Sequence, residues 1–200
     1  LNYMKILMIC DFFHESQLYQ ENLLIKYYLK KGYDVSVIAS MHLSVTDYYQ
    51  GKIIKDSQFS VSSTNKIKTT RLNYKINLFN KVRLLKGLYK QIVINQPDII
   101  YVHGIVLNLI PSIKYKRLNT NVKLIFDCHA DFSNSAKNWI SLNILHGLFY
   151  RYLLKFLLKR VDNCFYITPR GGDFMNTIYK IPFDKMSLLP LGADTDYINE

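Results

Sequence analysis

The chain has 200 residues, with 26 Lys and Arg against 15 Asp and Glu, and a formal charge of +11. Hydrophobic residues make up 49% and charged ones 20%, enough apolar material for a packed core, which excludes a disordered or fibrous protein. Three Cys with no close pair exclude a disulfide scaffold and a cysteine-rich zinc module.

The first apolar run, residues 5–10 (KILMIC), reads as a buried strand. It is too short for a secretory leader, and Asp11 follows it. Residues 16–31 carry Leu18, Asn22, Ile25 and Leu29 at helical spacing and stop at Gly32. Ser16 stands where it would cap that helix. Residues 34–40 (DVSVIAS) form a second strand, and 41–71 a polar loop with one short strand. A helical pattern at 78–95 leads to a third strand at 99–102. Helix 106–118, strand 122–128, helix 136–160, strand 163–168, helix 171–179 and strand 186–189 complete the chain. No run of ~18 residues is free of charge, so no membrane span is expected. Free thiols and no leader point to a cytoplasmic protein.

Strands that are continuously apolar are covered on both faces, and strands alternating with helices make parallel crossovers. The expected fold is therefore α/β: a Rossmann-like, doubly wound, mainly parallel sheet with helices on both faces. Ligands in such sheets sit beyond the C-terminal strand ends. That rule singles out Asp11, Glu15 and Ser16 after the first strand, His103 and Gly104 after the third, His129 and Asp131 after the fourth, and Arg170 after the fifth. There is no Gly before Gly32, which argues against a dinucleotide-binding GxGxxG turn. Imidazole donates to a hydroxyl or phosphate oxygen at neutral pH without permanent charge. A carboxylate such as Asp11 takes or holds a hydroxyl proton. Loop capping is the competing role for Asp131, and an ordinary turn for the Gly171–Gly172 pair.

Residues 66–90 carry Lys66, Lys68, Arg71, Lys75, Lys81, Arg83, Lys86 and Lys90 with no acid, interleaved with Leu, Phe, Val and Tyr. The expectation is a basic amphipathic segment that meets an anionic membrane surface, with a solvated face as the plain alternative. No nucleic-acid-binding motif accompanies the charge, so no nucleic-acid partner is expected.

Taken together, MKILMIC, LLIKYYLKKGYDVSVIAS, PDIIYVHG, LIFDCHADF, RVDNCFYITPRGGDFM and KMSLLPLGAD resemble the N-terminal domain of the retaining, family 4-like glycosyltransferases of the GT-B fold. The resemblance implies two facing Rossmann-like domains, the first shaping the acceptor site and the second holding a nucleotide-sugar. It implies residues 1–190 as the acceptor-side domain and 191–200 as the start of the interdomain linker, with the donor domain in cis or in trans. It implies a glycan or lipid-linked acceptor, no metal and no cofactor beyond the sugar donor. His129 matches the family's histidine near the transferred sugar, and His103 that of the preceding strand end. Glu15 and Ser16 stand where the family has a glycine pair, and Leu191 where it has Asn.

Overall fold

The computed structural model describes residues 3–54, 60–61, 67–135, 138–190 and 192. Lys66 of the basic run and the expected linker, Gly192 apart, lie outside the described residues.

The elements run β1 (Lys5–Ile9), α1 (Gln20–Lys30), β2 (Asp34–Ser40), α2 (Val45–Tyr49), β3 (Ser60–Val61), β4 (Lys68–Leu72), β5 (Tyr74–Leu78), β6 (Val82–Leu85), α3 (Leu88–Asn95), β7 (Ile99–His103) and α4 (Leu109–Leu118). After β8 (Lys123–Cys128), a helix wound with i→i+5 bonds over Ile140–Tyr150 continues as α5 (Arg151–Leu157). Then come β9 (Asn163–Tyr166), α6 (Pro169–Thr177) and β10 (Ser187–Leu188).

Eight strands form one sheet in the order β10-β9-β8-β7-β1-β2-β4-β3. All pairings are parallel except that of the short edge strand β3. The order leaves β1 in one direction through β2 and in the other through β7, so the switch point lies at the C-terminal ends of β1 and β7. This is the doubly wound α/β fold that the alternating strands and helices imply.

The period-two geometry of a strand divides β1 between two cores. Leu7 and Ile9 face a layer with Leu88, Ile92, Leu109, Leu154 and Phe174. Ile6 and Met8 face the opposite side with Phe13, Ile25, Val35 and Tyr101.

Three expectations need correction. Residues 41–71 are not a loop with one short strand: they hold α2, β3 and most of β4, which pairs parallel with β2 inside the sheet. The stretch 78–95 is not one helix. Residues 74–85 fold into an antiparallel hairpin, β5–β6, and helix begins only at Leu88. The breaks are local. Phe79 and Asn80 adopt positive φ (53° and 56°) at the hairpin tip, and Gly87 does so (73°) just before α3. The first helix starts at Gln20, not at residue 16, and its N-cap, Tyr19, makes no side-chain cap. Ser16 Oγ instead pairs with His14 Nδ1 at 2.9 Å.

Candidate active site

Three strand ends converge at the switch point. Asp11 follows β1, His103 ends β7, and His129 follows β8. Parallel register sets His103 directly beside Asp127. His129, two residues beyond Asp127, emerges on the same side of its strand. All three strand-end residues line one cavity of about 310 Å³, together with Glu21, Arg83 and Tyr150.

Asp127 organises the two imidazoles. Its carboxylate is fully buried, at 0% exposure. An ionised carboxylate only accepts hydrogen bonds, so the nitrogens facing it carry protons. His103 Nδ1 donates to Oδ2 at 2.8 Å and His129 Nε2 at 3.2 Å. The Tyr101 hydroxyl donates to the same oxygen at 3.0 Å, and the Gly104 amide to Oδ1 at 3.1 Å. The rings meet edge to face, with centroids 4.2 Å apart. Gly104 has φ of +72°, a conformation that favours glycine and lets its amide turn back to Asp127.

The electrostatics follow. Burial alone would push the His103 pKa down, but the Asp127 carboxylate, with Glu21 and Asp11 behind it, holds it above the usual value. Glu21 Oε2 lies 3.5 Å from His103 Nε2. Burial would raise Asp127, yet the two imidazoles and their hydrogen bonds hold it far below the ordinary carboxylate range. Asp11 is different. Burial raises its pKa against the opposing pull of Arg83 and Tyr74. Arg83 Nη2 lies 2.7 Å from Asp11 Oδ2, and Tyr74 donates to Oδ1.

The remaining sequence candidates lie elsewhere. Glu15 is half-buried and accepts from Thr69 Oγ1 at 3.2 Å. Asp131 accepts from the Ser133 amide and hydroxyl and the Asn134 amide, as a loop cap does. Arg170 is exposed on the first turn of α6, whose N-cap Thr168 accepts the Gly171 amide at 3.0 Å.

The basic run divides. Lys75, Lys86 and Lys90 are exposed. Arg71 is buried, donating to the Ser40 and Phe13 carbonyls. Arg83 is turned onto Asp11, and Lys81 donates to Ser141 Oγ at 2.7 Å. Arg71 and Arg83 are thus held within the fold, whereas Lys81 is itself exposed, and residues 68–95 run through β4, the β5–β6 hairpin and α3 rather than one helix.

Sequence reading missed Asp127, Glu21, Tyr74 and Tyr101. A carboxylate inside the apolar strand KLIFDC was the available signal, because a buried charge is rare without partners.

Among the described residues, His103, Asp127 and His129 also place ligand atoms within 4.8 Å of one another, close enough to hold a metal ion. Hydrogen bonds join the facing imidazole nitrogens to the shared Asp127 oxygen.

A doubly wound parallel sheet with a polar cleft at its switch point defines an α/β domain of the Rossmann-like class. Residues 23–197 match the Glycosyltransferase Family 4 profile, and the chain belongs to that family. Its fold is that of the N-terminal domain of GT-B glycosyltransferases. A glycosyltransferase from Rickettsia africae ESF-5 is similar over 100% of this chain and 46% of that one, with a TM-score of 0.60 and 18% identity. The lipopolysaccharide outer core galactosyltransferase WaaB is similar over 92% and 44%, with a TM-score of 0.53 and 10% identity. MurG from Acinetobacter baumannii is similar over 96% and 46%, with a TM-score of 0.51 and 9% identity. These likenesses show the fold. The chain spans less than half the length of each. No curated protein matches the sequence.

Proposed function

We propose that this domain is the acceptor side of a retaining glycosyltransferase that moves a sugar from a nucleotide-sugar to a glycan or lipid-linked hydroxyl. The observation that carries the reading is the cavity at the switch point, where Asp11, His103 and His129 come together. Alternating acids, imidazoles and a guanidinium suit a polyhydroxylated ligand, which needs donors and acceptors side by side. The family membership and the WaaB-like and MurG-like fold support sugar transfer.

In this reading the acceptor hydroxyl sits between Asp11 and His129. Asp127 fixes the rotamers of both imidazoles, and His129 orients the donor sugar. Arg83 and Tyr74 already bind Asp11, so Asp11 holds the hydroxyl by hydrogen bond rather than as a free base. The departing phosphate takes the proton. Arg170, Glu15 and Ser16 are proposed at the outer rim, where a donor domain would bring the nucleotide, and Asp131 as a loop cap beside them. That donor domain closes over the cleft in cis or in trans, excludes water and aligns the reacting atoms. Neither a metal nor another cofactor enters the scheme. We place the protein in the cytoplasm, at the inner face of the membrane.

The test is a panel of nucleotide-sugars and acceptors with the full-length enzyme. His129→Ala should lower kcat at least ~100-fold with unchanged fold. Unchanged turnover would remove His129 from the mechanism. The competing reading is epimerisation, since a UDP-N-acetylglucosamine 2-epimerase from Listeria monocytogenes shares the fold at a TM-score of 0.50. Consumption of a nucleotide-sugar without acceptor would favour that reading.

A further inference from the structure

The helix formed by Ile140–Tyr150 and α5 turns the wrong chemistry to water. A surface helix normally shows an apolar stripe to the core and polar residues outward. Here Ile140, Ile144, Leu148, Tyr152 and Phe156 are all exposed, with Phe149 beside them and Trp139, 70% exposed, at the start. The five stripe members recur every four residues. Four residues overshoot one turn of α-helix and fall short of one turn of the wider i→i+5 helix. Drift before Tyr150 therefore opposes drift after it, and the stripe keeps to one side.

A second element extends this surface. The β5–β6 hairpin carries Phe79 at its tip, 89% exposed and in the left-handed conformation that a bulky residue rarely adopts. Lys81, two residues on, fastens the tip to Ser141, two residues beyond Trp139. Lys81 of the hairpin and Tyr150 of the helix also line the cavity, so the two elements that carry this surface also help to wall the cavity.

Along the helix segment itself the charge has one sign. From Phe132 to Val161 there are Lys137, Arg151, Lys155, Lys159 and Arg160 and no Asp or Glu. At the far end of the stripe, Phe156 borders a groove of about 640 Å³ rimmed by Lys116, Arg117, Lys159 and Arg160. Its one acid, Asp162, is paired with Lys116. Among the described residues no helix is long and apolar enough to span a bilayer. Aromatic and aliphatic side chains bordered by cations are the pattern of a helix lying in the headgroup layer.

We infer that the outer face of the helix from Ile140 to Leu157, with the Phe79 tip, docks this domain on an anionic lipid surface and holds the cavity mouth against it. Lys75, on β5, and Lys86, just after β6, are exposed but do not belong to the helix that carries this face. If acceptors are lipid-linked, as proposed above, this contact delivers them, but the contact itself does not depend on transfer.

Trp139 is the single Trp of the chain and reports insertion directly. The test uses the full-length protein with any tryptophan elsewhere replaced by Phe. Phosphatidylglycerol vesicles should shift Trp139 emission to the blue, and phosphatidylcholine vesicles much less. The double variant Ile144→Asp, Phe156→Asp should bind anionic vesicles at least tenfold more weakly than wild type. It should keep its circular dichroism and its transfer to a water-soluble acceptor. Lys75→Glu, Lys86→Glu should bind nearly as wild type. An unshifted emission, equal response to both lipids, or a blue shift that grows with protein concentration without lipid would overturn the proposal. The last result would assign the face to a second copy of the chain.

Discussion

Removal of the Asp127 carboxylate is the sharpest test of the site. Asp127→Ala deletes an acceptor shared by Tyr101, His103 and His129 and a second one used by the Gly104 amide. Breaking a buried ion pair from one side typically costs about 3–5 kcal/mol. An orphaned buried hydroxyl such as that of Tyr101 costs about 1–3 kcal/mol. These do not add, because His103 can shed its proton once its partner is gone, and Glu21 remains 3.5 Å away. The expected loss is about 3–4 kcal/mol, a large part of the ~5–15 kcal/mol of a typical domain. With a urea slope of about 2 kcal/mol per molar, the midpoint should fall by about 2 M. The pH dependence has a definite sign. His103 is raised in the fold, so its contribution is complete below the unfolded value near ~6.5 and is lost as pH rises through the folded value. Asp127 is depressed, so its contribution is present above ~3.9 and is lost as pH falls below that. The deficit of Asp127→Ala should therefore peak between about pH 4 and 6.5 and shrink at pH 9. Urea unfolding by circular dichroism at pH 5.5 and pH 9 measures it. A deficit under ~1 kcal/mol, or one equal at both pH values, would refute an ion pair at the centre of the site.

His146 is buried against Phe174 and Tyr179, and accepts from the Tyr179 hydroxyl at 2.7 Å. Burial, with Lys81 nearby, lowers its pKa to about 4, so the unfolded chain takes up its proton first. Stability should thus fall as pH drops from ~6.5 toward 4, by at most ~1.4 kcal/mol per pH unit, and His146→Gln should flatten that limb in acid titrations of the urea midpoint. Cys10, Cys128 and Cys164 are free and buried, and burial raises all three thiols, Cys128 to about 12. An aromatic disulfide reagent should find no reactive thiol in the native domain and all three in urea; rapid native labelling of any one would contradict the packing. In Gly172→Ala the new Cβ would meet the Tyr166 ring at 2.9 Å, whereas in Gly171→Ala it would meet Thr168 Oγ1 at 3.3 Å. Overpacking costs about 1–3 kcal/mol and alanine's helix propensity returns about 1 kcal/mol, so thermal unfolding should show a clear loss for Gly172→Ala and little change for Gly171→Ala.

The strands were legible because a strand buried on both faces must be apolar throughout, and KILMI, IIYVH and KLIFDC are nearly so. The hairpin was not, because Leu78, Val82 and Leu85 fit a helical period as well as a strand-turn-strand path. Only the positive φ at Phe79 and Asn80 decides between them, and a bulky residue there is the exception to the turn chemistry that sequence reading uses. The role of each cation was likewise hidden. Arg83 and Lys75 look alike in the sequence, yet one is clamped on Asp11 while the other is exposed, and only the tertiary path of the hairpin separates them.

The same logic explains why two histidines could be picked out but not their common anchor. Strand ends follow from hydrophobic runs, so His103 announces itself as the first polar residue after IIYV, and His129 as the residue just past the end of β8. Asp127 lies one step inside, where its neighbour across the sheet is fixed by register alone: His103 pairs with Asp127 just as Ile9 pairs with Val102 on the other side of β7. A slip of one residue would turn Asp127 to the opposite face and leave it charged among apolar side chains. The buried carboxylate therefore specifies the β7–β8 register as well as the site. Asp127→Leu, which removes the charge and keeps the apolar run, should relax that specification. If its β7–β8 amide protection from hydrogen exchange equalled that of wild type, register would be set by the core alone.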